Sequence, residues 1–361
     1  MARPERLQLA RLGPPSTSAF APLLGGSADN LVGDSRTIAI YEYAHEFTSA
    51  VDGRAPTDEV ELLRPAPSLS STSMSTPPFI QHFAPIAREY DVVLSDVWGV
   101  VHNGVAATPE ACITLERYRA QGGTVVLITN APRPGAVVVR TMLDRLKVPH
   151  AAYDGIVSSG DVTRALIVAR AGQRLFHIGP ERDLPMFEGL DAPLAPLESA
   201  DYAVCSGLSD DNVETPEDYR DLIARMRERG LAMICANPDI VVERGDALVY
   251  CAGAIADLYA EAGGEVIYAG KPYAPIYQQA LAIAQTARGQ PADRGRILAI
   301  GDSIRTDLKG AAAFGIDCLF VTAGIHAEEL GGRDNPDAKT LAAMFAAAGV
   351  YPKAVMRRLA W

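Results

Sequence analysis

The sequence predicts an α/β fold, a doubly wound parallel sheet with a second α/β unit inserted into it. Three observations predict this. Short apolar runs such as VVLSD (92–96), TVVLI (124–128) and RILAIG (296–301) have the length and β-branched content of buried parallel strands. Segments of helical length separate them, which is the alternation that builds a parallel sheet covered on both faces. There are also more such runs than one compact sheet needs, and 361 residues exceed an ordinary single core. An inserted α/β unit is therefore placed at 160–236, between core segments 81–159 and 237–352, with 353–361 read as a C-terminal tail.

Residues 1–80 stand apart. LGPPSTSAFAPLLGGSADN and LLRPAPSLSSTSMSTPP are rich in Pro, Ser, Thr and Gly and lack sustained periodicity. The basic opening MARPERLQLARLG resembles a targeting peptide, but Glu5 and the later acidic stretches weigh against that. TIAIYEYAHEFTSAV has room for one short element. The reading adopted is a disordered extension, with Met74 as the expected start of the native chain.

From Pro85 the pattern is regular. A strand at Val92–Leu94 delivers Asp96 to its carboxyl end. Thr108 is a good N-cap, Pro109 suits the first helical position and Glu110 suits the positive helix end, so a helix is expected to run to Ala120 and stop at Gly122-Gly123. The strand TVVLI ends at Thr129-Asn130, a helix follows over 135–146, and a short strand lies at 155–157. The alternation continues through ALIVARA, RLFHIG, DYAVCSG, a helix over 216–229 and LAMICAN. Helices at 253–262 and 274–287 come next, then the strand RILAIG, a helix from Thr306, the strand DCLFV and a last helix over 338–348. No fixed-period repeat occurs.

Charge and cysteine usage narrow the class. A net charge of −11 argues against a general binder of nucleic acid or anionic membrane, though a metal inside one cleft can reverse the field for a phosphorylated ligand. The five cysteines form no CxxC pair and read as reduced apolar thiols of a cytoplasmic protein. No apolar run approaches the ~20 residues of a membrane span.

Four stations at strand or helix ends carry the chemistry: Asp96, Thr129-Asn130, Lys271, and Asp302 with Asp307. An ionised carboxylate at the tip of a buried strand is costly without a cation or hydrogen bonds to receive it. In a doubly wound sheet, ligands bind beyond the strand carboxyl ends where the strand order reverses. If the strands bearing Asp96 and Asp302 are neighbours, their carboxylates converge there, and Asp307 leans in from the following helix. Oxygen ligands suit Mg²⁺. Thr129 offers a hydroxyl and Lys271 a fixed positive charge to a phosphoryl group. Singly, each of these residues also fits a turn, a helix cap or a surface charge; their combination is what points to a site.

That combination resembles the haloacid dehalogenase superfamily. The matching motifs are DVWGV at Asp96, ITN at Thr129, GKP at Lys271 and GDSIRTDLKGA from 301 to 311. The insertion between the second and third motifs is similar to class IIA, which includes sugar-phosphate, nitrophenyl-phosphate and pyridoxal-phosphate phosphatases. The resemblance covers roughly 85–351. It implies a phosphatase in which Asp96 is a nucleophile that forms an aspartyl-phosphate. Asp96, the backbone carbonyl of Trp98, Asp302 and Asp307 would hold Mg²⁺, while Thr129, the amide of Asn130 and Lys271 would grip the phosphoryl oxygens. It further implies that Asn237-Pro238-Asp239 lies on the substrate side, that the substrate is a small phosphorylated molecule, and that a homodimer forms through the inserted cap.

One position departs from the pattern. The residue two after the nucleophile is usually an aspartate that moves protons, and here it is Trp98, which cannot protonate a leaving alkoxide. Three explanations stand open. The substrate has a good leaving group, or another group such as His102 moves the proton, or the protein binds a phosphorylated ligand with little turnover, as a sensor or regulatory protein. A dehalogenase or phosphonate hydrolase fits less well, because the metal carboxylates are retained and no Schiff-base lysine is evident.

Overall fold

The computed structural model describes residues 77–244 and 247–361. The expected N-terminal extension, including Met74, lies outside the described residues except at its last four positions.

Twelve strands are found among the described residues. They are β1 (Val92–Asp96), β2 (Thr124–Thr129), β3 (Gly155–Ser158), β4 (Leu175–Ile178), β5 (Tyr202–Cys205), β6 (Met233–Cys235), β7 (Val241–Arg244), β8 (Ala247–Tyr250), β9 (Val266–Tyr268), β10 (Ile297–Gly301), β11 (Asp317–Val321) and β12 (Ala354–Met356). Six form one sheet in the order β12-β11-β10-β1-β2-β3, every pair parallel. Alternate residues serve opposite faces: Val92, Leu94, Val126 and Ile128 join one apolar cluster, and Val93, Val125 and Leu127 the other. Burial on both faces explains why these strands are apolar without a polar phase. The predicted doubly wound α/β core is what forms.

A second parallel sheet, β4-β5-β6-β9, is the inserted unit, and β7 and β8 make a separate antiparallel hairpin. This corrects three boundaries. The insertion does not end at 236, because Val266–Tyr268 pairs with β6 and closes the second sheet. The segment 353–361 is not a tail: it supplies β12, the sixth strand of the core. Nor does the core begin at 81, since the Ile80 amide donates to the Val355 carbonyl oxygen and the Val355 amide to that of Pro78.

Local details follow from the sequence with some exceptions. The helix Pro109–Ala120 begins and ends as expected, but the Thr108 side chain makes no cap hydrogen bond. ALIVARA is not a strand; its first four residues finish the helix Ser159–Val168. That helix is set by a capping box in which the Asp161 amide donates to Ser158 Oγ (3.1 Å) and the Ser158 amide to Asp161 Oδ2 (2.9 Å). The five cysteines are free and buried. Among the described residues, no helix is long and apolar enough to cross a membrane.

Candidate active site

The strand order reverses between β1 and β10. Sequence runs outward from β1 through β2 to β3 on one side, and from β10 through β11 to β12 on the other. Ser95 pairs with Ile300, so Asp96 at the tip of β1 comes level with Gly301, and Asp302 leaves β10 beside it. Asp302 is free of helix-cap duty because Ser303 caps the turn Ile304–Leu308 by accepting from the Thr306 amide. Instead, Asp302 Oδ2 accepts the Ile325 amide (2.7 Å), which fixes its carboxylate. Asp307 is turned back by the Ser303 amide, which donates to its Oδ2 (3.1 Å). Carboxylate oxygens of Asp96, Asp302 and Asp307, all buried, lie within 4.8 Å of one another.

Lys271 enters from the segment after β9 and is only 2% exposed. Its Nζ lies 2.7 Å from Asp96 Oδ1 and 2.7 Å from Asp307 Oδ1. The Val97 amide also donates to Asp96 Oδ1 (2.7 Å). Asn130 fixes the lysine's backbone from both sides. Its Oδ1 accepts the Lys271 amide (2.7 Å), and its Nδ2 donates to the Lys271 carbonyl (3.1 Å) and to Asp239 Oδ1 (2.9 Å). The side chain of Asn130 is thus a strut joining the end of β2, the GKP segment and the loop after β6. The ITN motif by itself points only to its backbone amide. Thr129, buried at the end of β2, accepts the Ala131 amide at 3.3 Å.

Three carboxylates and one ammonium leave the cluster short of positive charge. Burial, then the nearby Asp307 carboxylate, raises the Asp96 carboxyl well above the usual range, and the same causes push Asp302 up to about 7. Burial opposes the charge on Lys271, yet the carboxylates of Asp307, Asp96 and Asp239 hold it protonated above the ordinary lysine range. A hard divalent cation with oxygen preference fits this donor set. The sign of the pH effect follows. Asp302 titrates near 3.8 in an unfolded chain and near 7 when folded. Between those values the folded state holds the extra proton, so stability falls as pH rises across that window. In metal-free protein, the melting temperature of Asp302→Asn relative to the parent is expected to climb from about pH 4 to about pH 7 and then level off. A difference independent of pH would remove Asp302 as the raised group.

Two glycines let backbone reach the cluster. A Cβ on Gly99 would stand 2.0 Å from Asp302 Oδ2, and one on Gly324 would stand 1.8 Å from the same atom. Gly99 also has φ +82°, where side-chain-bearing residues are strained. Gly99→Ala is expected to displace Asp302, weaken divalent-metal binding measured by titration calorimetry, and lower turnover by roughly 10²-fold, the cost of a misplacement near 1 Å.

The flap after β1 differs from expectation at His102. That residue is fully buried. Its Nδ1 accepts the Gly104 amide (3.0 Å), and its ring meets Trp98 edge-on at 5.0 Å. Burial lowers its pKa to about 4, which keeps it neutral. It packs inside the flap rather than standing open on the substrate side. Trp98 is half-buried and lies over Gly104, where a Cβ would come within 2.6 Å of the indole. Asn237 is buried, and its Oδ1 accepts the Asp239 amide (3.1 Å). Asp239 is partly exposed in the same network, its carboxyl raised by burial against the pull of Lys271 and Asn130.

Two ion pairs tie the inserted unit to the core, and no local sequence pattern points to either. Arg133 Nε meets Asp183 Oδ1 at 3.1 Å, and Arg305, two residues before Asp307, meets Asp257 at 2.9 Å. Such pairs are set by tertiary placement, their partners standing 50 and 48 positions apart in the chain.

Comparison with known proteins agrees with this geometry. A family model for haloacid dehalogenase-like hydrolases matches residues 93–192, and a HAD-hydrolase-like model matches 268–348. The first span holds Asp96 and Thr129, the second Lys271, Asp302 and Asp307. A haloacid dehalogenase-like hydrolase from Brucella suis 1330 shares 46% identity over 78% of this chain and 99% of that one, with a TM-score of 0.69. A possible sugar phosphatase from Cytophaga hutchinsonii shares the fold at 20% identity over 77% of this chain and 96% of that one, TM-score 0.62. The D-glycerol 3-phosphate phosphatase of Mycobacterium tuberculosis is 29% identical over 67% of this chain, and the match spans only 65% of that protein's length. With the switch-point acids, the lysine and the inserted unit in place, the chain belongs to the haloacid dehalogenase-like hydrolases.

Proposed function

We propose that the protein is a Mg²⁺-dependent phosphatase that hydrolyses the monoester of a small phosphorylated metabolite through an aspartyl-phosphate on Asp96. The observation that carries this reading is Lys271 Nζ held equally between Asp96 and Asp307 inside a three-carboxylate cluster. A carboxylate cannot approach a phosphate dianion until both charges are offset. Mg²⁺, held by Asp96, Asp302, Asp307 and the Trp98 backbone carbonyl, would supply part of that positive charge. Lys271 supplies the rest from the protein itself, and Asn130 keeps it aimed. Thr129 Oγ1 and the Asn130 amide are placed to take phosphoryl oxygens. Asp96 attacks phosphorus, the ester P–O bond breaks, and its electron pair leaves with the alcohol oxygen. Water then cleaves the acyl-phosphate and restores Asp96. Asp239 and Asn237 stand on the substrate side of this site. The M. tuberculosis relative's substrate supports a small polyol or sugar phosphate.

The test is a screen of phosphorylated metabolites and p-nitrophenyl phosphate with Mg²⁺ and with chelator. Metal-dependent release of phosphate is expected; tight binding of a phosphorylated ligand without release would favour the sensor reading, which the tryptophan at 98 motivates. Trp98→Asp separates the remaining explanations. It is expected to raise turnover of alkyl phosphates by on the order of 10²-fold, the scale of a restored proton-transfer group, while aryl phosphates change little. No gain on alkyl phosphates would show that proton transfer at this position is not what limits the protein.

The buried, reduced thiols fit a cytoplasmic setting. Exposed Leu248 and Tyr250 on β8, with Val213 on the same inserted unit, support a homodimer through the cap. Sedimentation of the parent and of Leu248→Glu checks this: a dimer is expected for the first and a monomer for the second.

A further inference from the structure

A cavity of about 420 Å³ lies among Gly99, His102, Thr108, Val321, Arg333 and Arg358. Its volume is that of a small-molecule site. Two guanidinium groups line it in a protein whose net charge is −11. Arg358 and the adjacent Arg357 both lean on one carboxylate, Asp334, at 3.3 and 3.4 Å, long contacts between exposed side chains that hold little energy. Arg333 is anchored by Nη1, which donates to the Ala323 carbonyl oxygen (2.7 Å), so its position at the wall is fixed. Arg357 and Arg358 thus share one acid. Val100, Val105 and Leu359 give the lining an apolar part, and Asn103 adds a polar one.

The wall also holds an unmet donor. With Nδ1 of His102 accepting the Gly104 amide, its proton is on Nε2, and that atom is buried without a partner among the described residues. Leaving such a donor unpaired is costly, so an oxygen brought to it by a small flap shift would be favoured.

We propose that this cavity is a second, regulatory anion site. It takes a small organic molecule bearing a carboxylate or phosphate group, with Arg333 and Arg358 on its oxygens and the flap over its apolar part. The same walls reach the metal cluster: Gly99 and the 321–325 loop both abut Asp302, and Ile325 holds its Oδ2. Occupancy would therefore set the position of the flap, and with it Trp98 and Asp302. Binding here does not depend on turnover, so it stands or falls apart from the phosphatase reading.

Trp98 and Trp361 are the two tryptophans of the chain. In a Trp361→Phe background, Trp98 fluorescence reports on the flap directly. Full-length protein in chelator is titrated with inorganic phosphate and, separately, with succinate. A saturable change with at least one is expected, and which anion responds fixes the class. Arg358→Gln and, independently, Arg333→Gln are expected to weaken it about tenfold or more, whereas Thr129→Val, at the proposed phosphate grip, leaves it within about twofold. A response to neither anion, an unchanged response in both arginine variants, or loss in Thr129→Val alone would overturn the proposal.

Discussion

Asp96→Asn is expected to abolish phosphate release while leaving the fold and ligand binding largely intact. The carboxamide keeps the shape of the side chain and can still accept from the Val97 amide, so β1 and its five buried residues are not disturbed. What it loses is the nucleophilic oxygen, and no other described carboxylate stands where Asp96 does at the tip of β1. Asp302 Oδ2 and Asp307 Oδ2 are occupied by the Ile325 and Ser303 amides, and Asp307 Oδ1 by Lys271. Without a substitute nucleophile the fall in turnover is expected to be on the order of 10⁵-fold or more, the scale seen when the attacking group of a catalytic set is removed. The measurement is single-turnover release of phosphate from p-nitrophenyl phosphate, with acid-quench trapping of phosphorylated protein in the parent. Equal rates in the two proteins would remove Asp96 as the nucleophile. Because the variant also removes one negative charge from an acid-rich cluster, its metal-free form is expected to be at least as stable as the parent near pH 7.

Much of this site was legible because its chemistry sits where apolar runs end. VVLSD, TVVLIT and ILAIGD each carry the reactive residue at or just past the strand's carboxyl end, and the parallel order β10-β1-β2 brings those ends together. What could not be read was anything that depends on a distant partner. The three-residue strands β9 and β12 carry too little pattern to identify themselves. Each becomes a strand only because β6 and β11 present open edges, so neither the insertion's end nor the last core strand shows in the local sequence. The β7–β8 hairpin does carry a sequence signal, a Gly-Asp pair between VVER and ALVY. The flap is a different case. Positive φ at Gly99 and Gly104 folds it back on itself, so His102, polar and near a reactive acid in sequence, ends fully buried against Trp98. Likewise ITN marks the end of a strand, but nothing in three letters shows that the asparagine side chain reaches 141 residues onward to clamp Lys271. Residue identity located the chemistry; packing decided which side chains do it and which hold them.

Lys271→Met tests that division most severely, because Lys271 belongs to both the chemistry and the packing. Its methylene stem is replaced at similar volume, so the loss is chiefly electrostatic. Surface pairs such as Arg220 with Glu217 are screened by water and hold little. Lys271 is different: it is 2% exposed and shared between two buried carboxylates. Removing it leaves Asp96 and Asp307 facing each other without their cation, and stranding buried charge in this way costs about 3–5 kcal/mol. Urea unfolding of the full chain near neutral pH is expected to show a loss of about that size. Two conditions should return part of it. Acid should do so, because Asp96 and Asp302, already raised by burial and by Asp307, take up protons as pH falls. Millimolar Mg²⁺ should also do so, because an ion that binds only the folded cluster stabilises it by mass action. Turnover should not return with either, since the phosphoryl group still lacks its fixed positive partner, a loss of roughly 10²–10³-fold. A variant no less stable than the parent at neutral pH would mean that the carboxylates relax apart at little cost, and that the cluster is not held together by this lysine.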